Sequence, residues 1–155
     1  MRTLHILVNG AERKQSWKAI PIKTLREDNG RRLLESDSPW LGSHGLSFRP
    51  RAIRALEPLL EIHGELLPLL CGEAEFRLYH PTQVLDALDE NASSVARRIM
   101  RVERYVLRPD VLERVAIFMI PNLRVSPTFV DQRFVDLWRP AGLKGLEFSQ
   151  IWAPN

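Results

Sequence analysis

A single cysteine, Cys71, among 155 residues excludes an intramolecular disulfide and any zinc cluster built on thiolates. Its place in the apolar run 66–71 predicts a small buried side chain, not a reactive thiol. Glycine is scarce too: the eight glycines never fall into G-x-G-x-x-G or G-x-x-x-x-G-K, so the fingerprints of dinucleotide and phosphate-loop sites are missing. No uncharged apolar run approaches the ~18 residues a membrane helix needs, and the longest, such as 115–121, have the length of a strand. The apolar stretch 4–8 is too short for the core of a secretion signal, so a cytoplasmic protein without membrane association is expected. An excess of one charge is also lacking. Twenty-two basic residues face nineteen acidic ones, a net charge of +3, although the isoelectric point is near 9.4. Three units are too few for a histone-like binder of polyanions.

What is present reads as one domain over residues 1–155, with 1–31 an irregular N-terminal extension that carries one edge strand. Ile20, Ile22 and Leu25 alternate with polar residues, and the internal Pro21 places that strand at an edge. Ile53, Leu56, Leu59, Leu60 and Ile62 recur at three- and four-residue intervals, which predicts a helix over 50–63, stopped at Gly64 and bent or broken at Pro58. The runs 66–71 and 76–79 predict a hairpin. Thr82 is a candidate cap for a short helix over 83–88, with Asp86 and Asp89 on its polar side. Strands are expected over 99–107 and 115–120, joined through Pro109 and a single turn at 110–113. A helix over 132–139 capped by Asp131 follows, with Phe134, Val135 and Trp138 inward, and 146–152 returns as a strand. The sum is an α+β fold: a mainly antiparallel sheet of five to seven strands, with helices packed on one face.

Catalysis and metal binding find few candidates. His5, His44, His63 and His80 are scattered without H-x-x-x-H or H-E-x-x-H spacing. His63 ends the first helix, where a cationic imidazole would suit the helix dipole. Ser43 beside His44 lacks the G-x-S-x-G context of a nucleophile elbow. Asp86 and Asp89 could hold a cation together, but a lone D-x-x-D on a polar face is ordinarily solvated. No cofactor and no enzymatic activity are expected.

Charge is patterned even though it nearly balances. Residues 73–90 carry five acids and one base, and the block from Arg97 to Arg108 carries five arginines and one acid. Such blocks can pair with one another or face outward as docking patches. The arginines, with Tyr105 as a stacking surface, offer a second reading as a small nucleic-acid-binding or regulatory domain. Trp138 and Trp152 suit core or rim positions. Trp40, on a loop of Pro, Leu, Gly and Ser, has the setting of an interface anchor.

The order of segments adds a resemblance. Ser36-Asp37-Ser38-Pro39-Trp40-Leu41-Gly42-Ser43-His44 is followed by Ala55-Leu56-Glu57-Pro58-Leu59-Leu60 and His63-Gly64-Glu65-Leu66-Leu67-Pro68-Leu69. Val84-Leu85-Asp86-Ala87-Leu88-Asp89-Glu90, Phe134-Val135-Asp136, Ala141-Gly142-Leu143-Lys144-Gly145-Leu146-Glu147-Phe148 and Trp152 complete the series. It resembles immunity protein family eleven of bacterial polymorphic toxin systems, over roughly residues 32–152. The resemblance implies a cytoplasmic antidote that binds a cognate toxin and neutralises it without catalysis. On that reading the acidic residues Glu73, Glu75, Asp86, Asp89 and Glu90 are expected to meet a basic toxin surface, with Trp40 as an anchor.

Overall fold

A computed structural model describes residues 10–41, 45–91, 94–96, 101–121 and 127–154, with the side chains of 94–96 and 101–103 left aside. Its centre is a four-stranded sheet in the order β1-β5-β6-β4. The long hairpin of β5 (Gly64–Leu70) and β6 (Phe76–Pro81) pairs antiparallel from Gly64 opposite Pro81 to Leu69 opposite Phe76. β4 (Leu46–Phe48) lies antiparallel on β6, and β1 (Ile20–Pro21) lies parallel on β5 at the edge that Pro21 announces. Two-stranded ladders lie outside this sheet: β2 (Glu27–Asp28) with β3 (Arg31–Arg32), β7 (Ser94–Ala96) with β8 (Arg101–Arg104), and β9 (Ile117–Phe118) with β10 (Phe129–Val130). The fold is therefore α+β, its main sheet four strands wide and not five to seven. The β2–β3 turn has Asn29 and Gly30 both at positive φ, 50° and 75°, the conformation for which Asn-Gly is favoured in tight hairpins.

Side chains alternate across the hairpin, so each face has its own core. On one face Leu66, Tyr79, Leu46 and Phe48 join the cluster built by α1 (Pro50–His63) and α3 (Gln132–Trp138). α1 buries Ala52, Leu56, Leu59, Leu60 and His63; of the stripe its periodicity predicts, Leu56, Leu59 and Leu60 are buried, Ile53 is half-buried and Ile62 is exposed. Pro58 does not end the helix; it is exposed, and the helix runs through it for 14 residues. Phe134 and Trp138 of α3 stack at 6.2 Å between ring centres, Phe48 lies 6.3 Å from Trp138, and Phe148 meets both α3 rings edge-on.

On the other face Leu67, Leu69, Phe76 and Leu78 are covered by Trp17, Ile20, Ile22 and Leu41. The cover is a strap, residues 10–22, that makes one turn at 14–16 and runs beside β5 in the same direction. Ala11 O meets His80 Nε2 at 2.8 Å, the Arg13 and Lys14 amides donate to the Glu65 carboxylate, Trp17 Nε1 donates to Pro68 O at 2.9 Å, and Ile22 N donates to Leu70 O. That direction is why β1 pairs parallel: the chain travels the length of β5 before it turns away.

Three expected elements take other forms. Residues 83–88 are extended, not helical: Val84 bridges Met119 and Leu88 bridges Leu107, so the apolar residues 84, 85 and 88 serve sheet-like contacts instead of a helix stripe. Residues 146–152 enter no ladder, although Leu146, Phe148 and Trp152 still pack inward. Asp131 precedes α3 but makes no side-chain cap; its Oδ2 pairs instead with Arg133 two residues on. The turn between β8 and β9 forms as expected, as a single helical turn, α2 (Pro109–Leu112).

Candidate partner-binding surface

The histidines come first, since they would carry any chemistry. His5, Ser43 and His44 lie outside the described residues. His63 is 4% exposed at the end of α1 and its Nε2 accepts the Ala116 N–H at 3.3 Å. Burial, with the nearby Arg133 charge, holds its pKa below 6.5 against the pull of Asp131, so the ring is the neutral partner of a buried amide and not a cation on the helix dipole. His80 is wholly buried beneath the strap. Among the described residues no three His, Cys, Asp or Glu side chains converge as metal ligands, and no helix is long and apolar enough to cross a membrane.

The acidic candidates fall in two places. Glu73 and Glu75 stand at the β5–β6 turn, where Glu73 accepts from Thr24 and Arg26 and Glu75 pairs with Arg77. The Thr24 and Arg26 hydrogen bonds lower the pKa of Glu73. Asp86, Asp89 and Glu90 follow the opposite end of the hairpin, beyond Pro81. Asp86 pairs with Arg108 at 3.0 Å, and the Asp89 and Arg108 amides donate across to Val106 O and Ala87 O, so the acidic and arginine blocks meet here; Asp89 accepts the Asn91 amide, and Glu90 is exposed. Because 83–88 is extended, Asp86 and Asp89 do not share a helix face.

The arginine block offers less than its composition suggests. Arg97 and Arg98, and the side chain of Arg101, lie outside the described residues. Tyr105 is not a free stacking surface: its ring meets Phe129 edge-on at 5.4 Å within the second core cluster.

Of the tryptophans, Trp138 is core, Trp152 packs at the rim of the second cluster and Trp40 is 83% exposed. Leu25, Leu33 and Leu34, flanking the β2–β3 hairpin, are also exposed. Cys71 is half-buried beside the Leu67 cluster, as a small apolar side chain would be.

One arrangement carried no local signal in the sequence. Asp37, 9% exposed, accepts the Lys144 amide at 2.9 Å and one Arg51 nitrogen at 3.4 Å, while its own N–H donates to Lys144 O. Arg51 also donates to Ala141 O at 2.7 Å. This clasp needs Gly145, at φ +110°, where a Cβ would run into Ser36 Oγ. The partners are over a hundred residues apart, which no window of sequence displays.

The model of the Immunity protein family (Imm11) matches residues 75–153, just over half of the chain. The chain belongs to that family. No curated protein matches it. The Imm11 match opens at the β5–β6 turn and takes in β6, the second core cluster, α3 and the Lys144 side of the clasp. Glu75, Asp86, Asp89 and Glu90 fall within it, whereas the strap, Trp40, α1 and Glu73 precede it. Membership carries a role in toxin immunity.

Proposed function

We propose that this chain acts in the cytoplasm as an antidote that binds one cognate toxin and blocks it physically, without chemistry of its own. The observation that carries the reading is the Imm11 match over residues 75–153. Toxin contacts are assigned to Trp40 as an apolar anchor and to Glu73, Glu75, Asp86, Asp89 and Glu90 as a polar rim meeting basic groups. An exposed indole is a favoured anchor, and rim charges chiefly set association rate and partner choice. Co-expression with the toxin encoded beside it tests the function: cell survival is expected, and unchanged toxicity overturns it. Charge reversal by Asp86→Lys with Glu90→Lys tests the acidic contacts. A slower association that is less sensitive to salt supports them, and unaltered kinetics remove them from the interface.

A further inference from the structure

Arg49 joins β4 to α1 and differs from the paired arginines around it. Its guanidinium carbon lies 5.3 Å from the centre of the Phe76 ring, and its Nε is sealed from solvent without an acceptor. Arg26, Arg51, Arg77 and Arg108 each have a carboxylate partner, whereas the Arg49 guanidinium has none among the described residues. The carboxylate held nearby through the backbone, Asp37, is already occupied by Arg51 and the Lys144 amide, and only its carbonyl reaches Arg49, at the main-chain N–H. A half-buried guanidinium that has shed part of its water without gaining an anion is electrostatically incomplete. The Phe76 ring beneath it holds the guanidinium near the sheet edge before any partner arrives.

The same sheet edge presents Trp40. Arg49 N donates to Asp37 O at 2.9 Å and Ser47 Oγ donates to Pro39 O at 2.6 Å, so residues 37–39 lie along β4. Trp40 follows directly and stands in solvent, while Leu41 turns back into the cluster that holds Phe76. An exposed indole and a cation without a carboxylate partner among the described residues thus flank one strand.

We infer that this β4 edge receives an acidic side chain of the toxin, its carboxylate seated on the Arg49 fork and its apolar neighbours packed on Trp40. The assignment rests on the toxin-binding reading above and adds a cationic contact to the acidic rim. One cation beside an indole fits a single carboxylate; a nucleic-acid backbone would call for a row of cations.

The test measures affinity for the purified toxin domain encoded beside this chain, using wild type, Arg49→Met and Trp40→Ala. Methionine keeps an apolar cover over Phe76 and removes only the charge and the fork. Each variant is expected to bind about 30-fold more weakly, with an unchanged melting temperature, and Arg49→Met to show a shallower dependence on salt. Wild type binding tightly with both variants within twofold of it overturns the inference and leaves the toxin-binding reading standing. Wild type failing to bind overturns both. Should Arg49→Met melt early, Trp40→Ala decides, since its indole lies outside the core: a loss of about 10-fold or more upholds the surface, and unchanged affinity removes it.

Discussion

One face of the four-stranded sheet is closed by α1 and α3, whose leucines and aromatic rings interlock with Phe48 and Tyr79. The other is closed by an extended strap that lends Trp17, Ile20 and Ile22 and is pinned to β5 at Glu65, Pro68 and Leu70. Helices satisfy their own backbone and can commit a whole stripe of side chains to packing. The strap keeps one turn of its own, Ser16 N donating to Arg13 O, and otherwise leans on the acceptors β5 lends it. The difference teaches where opening starts: the strap combines few buried side chains with an exposed backbone, the signature of low local stability.

The largest way to break that comparison is to remove a central ring from the helical face. Trp138→Ala, which empties the space among Phe48, Phe134 and Phe148, should cost about 3–5 kcal/mol and lower the whole unfolding transition. Denaturant unfolding followed by circular dichroism measures it. Trp17→Ala, on the strap, should cost less, about 1–3 kcal/mol, because the indole is only half-buried and the bond to Pro68 O is a single one. Its distinctive result is local: hydrogen exchange at Ile22 should quicken far more than within α1. Equal acceleration in both would show that the two faces open together.

Gly145→Ala attacks the clasp and not a face. Positive φ and the collision with Ser36 should cost about 1–3 kcal/mol, read as a drop in melting temperature. pH sharpens the comparison from the helical side. The folded-state pKa of His63 is lowered, so the unfolded chain binds more protons below about 6.5. Its contribution to stability is therefore complete above pH 6.5 and is lost as the pH falls below it. A His63→Leu variant should lose this part of the slope, as urea midpoints across pH 5 to 7 would show. The smallest effect belongs to the exposed pair Arg26–Glu73 at the hairpin turn: Glu73→Gln should leave the melting temperature unmoved.

The sequence displays what short-range periodicity encodes. The span of α1 is legible to its last residue because apolar positions repeat at helical spacing, although Ile62 among them is exposed, and Gly64 follows, where a Cβ would lie within 2.6 Å of the Tyr79 oxygen and against His80 O. The β5–β6 hairpin and the edge position of Pro21 are legible for similar reasons. Residues 83–88 mislead because Val84, Leu85 and Leu88 suit a helix stripe as well as an extended run, and the choice falls to distant partners, Met119 and Leu107. Residues 146–152 have strand composition without a neighbouring edge to pair with. At the candidate surface, Trp40 could be singled out from its loop, whereas the unpaired state of Arg49 could not. An arginine looks the same in a sequence whether or not a carboxylate meets it, and here the nearby one is committed to Lys144 across the chain.

That commitment also sets a timetable. A ribosome releases Asp37 long before Lys144, and until the later segment emerges the carboxylate lacks the amide that it clasps in the finished fold. Nascent chains interrupted ahead of residue 144 therefore hold residues 37–39 only through Ser47, Arg49 and Arg51, without the second anchor at Lys144. The bench of residues that presents Trp40 is thus held from one side by β4 and α1 and gains its second support only when residues 141–145 arrive.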